Sequence, residues 1–428
     1  MKKHPVLHSP WLFIPMLFLA VGAGGGGIVG NLTTVMFKDF GFSNALIGAV
    51  ALLSLPSSLR FLWAPWVDAM GSKRSLCRHF TSIMGLIILA TGGMIFAGHL
   101  SPTVAFIAIA LFALVFSCLE VASDGYYIRI FNKEQQAEFV GIKTAAIRGG
   151  IILSIAIFIR LAGEWQEQGL SKEVAWGRSV MLAGATLLAL AVYYWKALPH
   201  AADDEPVRDH KAFPLFSILK EYISQNRAWA IILMLLIFRF GQGMQVYMVP
   251  PFLMDSAEAG GYGMNPKDIA MLKTFAEMPF MIIGGIVGGL VIKRCGLKRT
   301  LIPFTLLMNL PNFAYIALSI FRPQATFTLF GSSFYTPVFL TSVVETLGYG
   351  AGFSAFYYYL HAIADGRHKT SMLAISSGLM GLGFYLPGGL SGVVQQMMGY
   401  PSLFILSSTA GLLTLAIIPF LPMPNETR

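Results

Sequence analysis

Charge is scarce in this chain. Only 12% of its 428 residues are Asp, Glu, Lys or Arg, about half the charged share of a soluble domain. With 55% hydrophobic and 13% aromatic residues, a soluble fold would have to hide too many long apolar runs. Runs near 20 residues match the bilayer core at ~1.5 Å rise per residue. Acids are scarcer than bases, 21 against 30, which leaves a formal charge of +9. That surplus is not gathered on one face. It recurs in short loops between apolar segments, a topology signal that excludes a nucleic-acid patch. Cysteine is nearly absent: Cys77, Cys118 and Cys295 stand far apart with no CxxC spacing, so neither a disulfide nor a zinc site is expected. No histidine–acid pair beside a nucleophile is legible and no nucleotide-binding element is present, which argues against a membrane enzyme and an ATP-driven pump. The opening Met1-Lys-Lys-His-Pro has the charge of a signal peptide. No small-residue cleavage site follows the first apolar run, so that run is expected to stay as a helix.

What is present is an all-α integral membrane protein of twelve segments. They run roughly over 11–37, 45–66, 79–98, 103–128, 140–162, 177–198, 228–254, 268–292, 300–321, 330–363, 370–397 and 401–421. The one strongly polar stretch, 199–227, contains Ala-Asp-Asp-Glu-Pro-Val-Arg-Asp-His-Lys and suits a linker between a bundle at 1–198 and a bundle at 228–428. Twenty of the thirty Lys and Arg fall on the side of the N-terminus, Lys143 among them, and six on the other. The bias makes the termini and the linker cytoplasmic.

One stretch occurs twice. Ala64-Pro-Trp-Val-Asp68-Ala-Met-Gly71-Ser-Lys73-Arg74 returns 225 residues later as Gly289-Leu-Val-Ile-Lys293-Arg-Cys-Gly296-Leu-Lys298-Arg299. In both, an apolar run ends in a glycine turn followed by a basic pair, as expected of a duplicated, pseudo-symmetric carrier. Gly22-Ala-Gly24-Gly-Gly-Gly27 fits G-x-G-x-x-G. Without a preceding strand or a following ribose-binding acid, it reads as close helix packing or local flexibility beside a cavity. Asn31, a turn later, could face that cavity.

These loops resemble the signature of the major facilitator superfamily, with Ala64 in place of its first glycine and Lys293 in place of the acid in the second copy. Within it, three elements resemble the family of AmpG-type muropeptide permeases and acetyl-CoA transporters: Leu59-Arg-Phe-Leu-Trp-Ala-Pro-Trp-Val-Asp68, Glu120-Val-Ala-Ser-Asp124-Gly-Tyr126 and Val344-Glu345-Thr-Leu-Gly-Tyr-Gly-Ala-Gly. The match extends over all twelve segments. Glutamate replaces the first aspartate of the family's acid pair, and the basic residue after the tyrosine is displaced to Arg129. The resemblance implies a monomeric secondary transporter of the bacterial inner membrane with two six-helix bundles. It also implies a cell-wall sugar–peptide fragment or related glycan as solute. An iron–siderophore importer and a solute or drug exporter are the competing expectations.

The candidate residues also stand on their own physics. Glu120 and Asp124, four apart, share one helix face, and two adjacent carboxylates at low dielectric do not readily both ionise. That pair is equipped for proton coupling, or for a fixed salt bridge to Arg60, Arg129 or Arg148. Arg60, Arg148 and Arg239 lie two to three turns inside segments 2, 5 and 7. A cation there costs ~2.5–3.5 kcal/mol on insertion scales, so each needs a wet cavity or a partner, either an anionic solute or a fixed carboxylate among Glu120, Asp124, Glu277 and Glu345. Gln242, Gln245 and Tyr247 follow Arg239 and could hydrogen-bond a polar ligand, as could Asn31 and Tyr126. Glu277 precedes Pro279 and Glu345 precedes Gly348, Gly350 and Gly352, so each acid sits beside a helix-weakening residue. They could serve protons, sugar hydroxyls or interhelical bonds. Asp68, Gly71, Lys73, Arg74, Gly296, Lys298 and Arg299 form the two gating loops, or anchor topology by charge. No cofactor or metal is expected; the partners are a small-molecule solute and the bilayer, with a proton gradient as the energy source.

Overall fold

A chain crossing a bilayer must satisfy its backbone polar groups internally, which leaves helices as the default solution. The computed structural model describes residues 9–200, 220–329, 332–363 and 369–422, and is almost wholly helical. Among these residues ten stretches are long and apolar enough to span a membrane. The first nine are α1 (Pro10–Asp39), α2 (Asn44–Leu62), α3 (Lys73–Phe96), α4 (Pro102–Ile130), α5 (Lys133–Glu167), α6 (Lys172–Ala197), α7 (Ala228–Met254), α8 (Pro266–Cys295) and α9 (Leu297–Phe321). Helix α10 is Thr336–Ile363. The tenth apolar stretch lies in a helix spanning Lys369–Ile417 that breaks at Gly399 (φ 76°, ψ 171°), giving α11 before the break and α12 after it. Twelve long helices result among the described residues. Starts are marked by side-chain caps: Ser72, Ser101 and Ser171 each accept from a first-turn N–H, and Asn132 and Asn265 form capping boxes with Gln135 and Asp268. These occupy first-turn donors that have no intrahelical acceptor.

The described residues divide into two compact units. One holds Met1–Phe42 and Leu53–Phe213; the other holds Ser43–Leu52 and Pro214–Arg428. Within the first, α1 and α5 touch backbone to backbone. A Cβ on Gly22 would lie 1.9 Å from the Ile147 carbonyl oxygen, and one on Gly150 would lie 2.1 Å from that of Leu19. Within the second, α8 and α10 meet likewise at Gly284 and Leu347 and at Gly350 and Met281. Small residues allow such approach where lipid supplies no hydrophobic drive between helices. The first half of α2 also packs this way, since a Cβ on Gly392 would lie 1.7 Å from the Asn44 carbonyl oxygen. Asn44 there donates to Gln395 and to the Tyr400 hydroxyl, which donates to Asp255.

Several helices are irregular where the sequence places polar or small residues. Ala23–Leu32, Ser154–Ile159 and Lys273–Glu277 are π-helical. Helix α2 contains 3₁₀ stretches at Val50–Ser54 and Arg60–Leu62. Helix α7 is interrupted at Arg239, between Ala228–Ile237 and Phe240–Met254. Such interruptions concentrate at functional sites.

The tenth segment begins later than its expected start at 330. Thr326–Leu329 (β1) and Ser332–Tyr335 (β2) pair antiparallel, with Phe327 opposite Phe334, before α10 starts at Thr336. Aromatic and β-branched residues favour strands, and Phe327, Phe334 and Phe339 pack together at centroid distances of 5.1–5.7 Å. The linker expected at 199–227 lies largely outside the described residues, as do Arg367 and His368.

Candidate functional site

The acid pair on α4 meets bases from two neighbouring helices of its unit. Arg60 reaches α4 from the second 3₁₀ stretch of α2, with Nη1 3.5 Å from Glu120 Oε1 and 3.4 Å from Asp124 Oδ2. Lys143 on α5 donates to Asp124 Oδ1 at 2.7 Å. Its ammonium also lies over the rings of Phe18 and Tyr127, at 4.7 and 4.8 Å. Two acids thus face two bases, all partly shielded, with side-chain exposures between 18% and 39%. The second oxygen of Glu120, Oε2, is buried with no hydrogen-bond partner. A buried acceptor left open is costly, so the cluster is incomplete as it stands.

Lys143 is a correction to the charge count. Counted with the bases of the N-terminal side, it lies about three turns inside α5 and contributes a partner of Asp124 that its sequence position hides. Arg148, five residues further along α5, is half-buried and makes no hydrogen bond or ion pair with any described residue. Its guanidinium is left for a ligand or for water.

The second unit holds a different arrangement. Lys273 and Glu277, in the π-helical turn of α8, pair at 3.1 Å. Glu345 on α10 lies within electrostatic reach of both, yet has no hydrogen bond or ion pair of its own among the described residues. Two acids therefore share one lysine. On α7, Arg239 donates from Nε to Gln242 Oε1 at 2.8 Å. Its guanidinium carbon lies 4.0 Å from the centroid of Phe384, 5.5 Å from that of Phe353 and 6.0 Å from that of Tyr349.

Other residues singled out by type are committed within their units. Asn31 donates to Gly26 O at 2.7 Å and Thr33 to Ile28 O at 2.9 Å, five residues back in each case, so both serve the π-helical backbone. Gln245, 3% exposed, donates to Ser407 and Ser408 on α12 at 3.0 and 3.3 Å. The buried Tyr126 donates to Pro199 O at 2.9 Å. Each holds helices or chain ends in place. Of the four aromatics 356–359, Phe356 and Tyr359 are fully buried while Tyr357 and Tyr358 are exposed.

At the first basic loop, Lys73 is 1% exposed. It donates to Val67 O at 3.3 Å and lays its stem against Gly125 of α4. Arg74 donates to Leu198 O at 2.6 Å, and Arg78 donates to Tyr194 O and Trp195 O. The three carbonyls belong to the end of α6, where cations complement the helix dipole. Arg78 and Asp39 carry roles the sequence did not advertise. Asp39, at the far end of α1, accepts from Trp176 and Gln166 and pairs with Lys172. The side chain of Asp68 lies outside the described residues. Gly71 is extended (φ 164°), a conformation any residue adopts, whereas Gly296 sits at φ 79°, where glycine is favoured. Lys298 and Arg299 are exposed.

Comparison with known proteins follows the same lines. A family model described as Major Facilitator Superfamily matches residues 14–326. The chain is 23% identical over 371 residues to the anhydromuropeptide permease of Escherichia coli (strain K12), covering 85% of this chain and 70% of that protein. It is 24% identical over 387 residues to an uncharacterized protein of Haemophilus influenzae, covering 88% and 86%. Among solved structures, the inward-open xylose transporter XylE from E. coli superposes with a TM-score of 0.68 at 13% identity, over 98% of each chain. A D-xylose–proton symporter superposes at 0.69 with 14% identity, over 99% of each. At these identities the structural likeness shows the fold alone.

Proposed function

The chain belongs to the major facilitator superfamily of secondary transporters, and on that premise we propose that it is a proton-coupled importer of a polar, anionic solute such as a muropeptide or related glycan fragment. The observation that carries the coupling half is the four-membered cluster Arg60–Glu120–Asp124–Lys143. Its charges balance, so the cluster is neutral as it stands and one added proton leaves it with a single positive charge. The open Glu120 Oε2 is a position where that proton can sit. Charges inside membrane spans mark relays and solute paths by default.

The solute half rests on Arg148 and Arg239, which have no carboxylate partner among the described residues, and on Glu345, which has no donor. An unpaired guanidinium is a ready partner for carboxylate or phosphate. The muropeptide class is supported by the E. coli relative, whose name is anhydromuropeptide permease. The carrier is placed in the bacterial inner membrane with both ends cytoplasmic, in keeping with the bias of Lys and Arg, and works by alternating access.

The test is uptake by proteoliposomes of purified protein, with and without an imposed pH gradient, using muropeptides and a ferric siderophore as solutes. Accumulation of muropeptide that requires the gradient, with gradient-independent counterflow, is the expected result. Accumulation of the siderophore complex instead moves the solute to the competing class. Counterflow without any gradient dependence removes the proton from the proposal.

A further inference from the structure

Arg239 has an unusual setting for a cation in a membrane span. It stands where α7 is interrupted, stacks on Phe384 at 4.0 Å, and has Phe353 and Tyr349 as further walls. Guanidinium can only donate, so the oxygen of Gln242 must be the atom facing Nε, at 2.8 Å. That bond fixes the guanidinium plane and turns the Gln242 amide nitrogen outward from it. What remains is a set of donors. The two Nη groups of Arg239 and the NH₂ of Gln242 have no acceptor among the described residues, although Gln242 is only 8% exposed.

We propose that Arg239 and Gln242 form the carboxylate-binding subsite of this carrier, taking a monoanionic carboxylate borne on a ring. This rests on the transport reading above and names the chemistry of its solute. The choice follows from charge and shape. A single guanidinium, with no second base joined to it among the described residues, balances one negative charge, which suits a carboxylate better than a dianionic phosphate. One face of the guanidinium is covered by Phe384, and Nε is engaged. Only the in-plane Nη edge is open, and two parallel N–H groups along that edge match two carboxylate oxygens. The aromatic walls offer flat apolar surface to the ring that carries the acid, whether sugar or aryl.

The experiment reads binding to the purified full chain in detergent, where no gradient exists, so its outcome is independent of proton coupling. Thermal stabilisation is titrated with two pairs of probes: N-acetylmuramic acid against N-acetylglucosamine, and benzoate against benzamide. In each pair the rings are alike and the carboxylate is present in only one. The wild type should respond to at least one acid and to neither neutral partner, and the pair that responds tells sugar from aryl carboxylate. Arg239→Gln should remove the response. Arg239→Lys keeps the charge but loses the two-pronged edge, and should weaken binding roughly 10- to 100-fold. Melting of each variant without probe checks that it is folded. Equal responses to acid and neutral probe, a response retained in Arg239→Gln, or no response of the wild type to either acid overturns the assignment. Loss of gradient-driven uptake with the binding pattern intact would instead count against the coupling cluster alone.

Discussion

Replacing Asp124 by Asn separates a structural ion pair from a coupling group, because the two readings diverge once Lys143 is changed as well. In the native cluster two acids face two bases. The amide would keep an oxygen for Lys143 Nζ, which the native carboxylate meets at 2.7 Å, but would leave one uncompensated cation. An unpaired lysine at the centre of a membrane helix costs ~2.5–3.5 kcal/mol. Lys143 and Asp124 are 21% and 34% exposed and the amide oxygen still accepts from Lys143, so partial screening and that bond reduce the expected loss to about 1–2 kcal/mol. For a unit near 200 residues that corresponds to a melting decrease of roughly 2–8 °C. The double variant Asp124→Asn/Lys143→Met removes the stranded charge and substitutes a flexible apolar chain of similar length. Its melting temperature should return to within about 2 °C of wild type. Transport should not return, since the titrating carboxylate is gone. Both variants are expected to exchange solute across proteoliposomes and to fail at gradient-driven accumulation. Accumulation restored in the stable double variant would show that Asp124 only staples α4 to its neighbours.

Gly22→Ala would put a methyl group 1.9 Å from the Ile147 carbonyl oxygen, forcing α1 from α5; a loss of about 1–3 kcal/mol, read as a lower melting temperature, is expected, and an unchanged one would mean the contact is loose. Gln245→Leu strips a buried amide from two serine hydroxyls and should cost about 1–3 kcal/mol of stability with the solute KM unchanged; a raised KM in the folded variant would place Gln245 at the solute. Glu345→Gln should raise the solute KM by about tenfold or more while the gradient dependence persists. Loss of that dependence would move proton coupling to the second unit.

The spans were legible because the bilayer leaves an apolar run little choice but helix. The hairpin at 326–335 was not, since aromatic residues serve strand and membrane helix alike and only the packing of Phe327, Phe334 and Phe339 decides. Glu120 and Asp124 could be placed on one face from their spacing. Lys143 could not be joined to them, because the bond crosses from α4 to α5 and the charge count places the residue only among the bases of the N-terminal side. Gln245 and Tyr126 show the same limit. Their polar type is visible in the sequence, but their acceptors lie 162 and 73 residues away. The glycine run at 22–27 suits close packing or local flexibility beside a cavity, and the clash distances at Gly22 and Gly24 give the packing its geometry. Its π-helical winding, held by Asn31 and Thr33 on carbonyls five residues back, has no signature in a single sequence.

The two units share an order of helices and not a chemistry. In each half the fourth helix carries an acid that meets charged residues on the second: α4 brings Glu120 to Arg60 on α2, and α10 brings Glu345 near Lys273 and Glu277 on α8. In the first unit the α2 residue is a base and Lys143 supplies another, so the charges balance. In the second the α8 turn brings an acid together with its own lysine, so Glu345 is one acid too many for the bases present. Arg239 in the same unit has no carboxylate partner among the described residues. An unbalanced site in a low-dielectric setting is costly unless something completes it, and the solute is the component a carrier admits and releases in every cycle. A balanced site has the opposite virtue: it survives solute departure without stranding charge. On the proposed reading, charge balance is therefore the ground for assigning coupling to the first unit and recognition to the second.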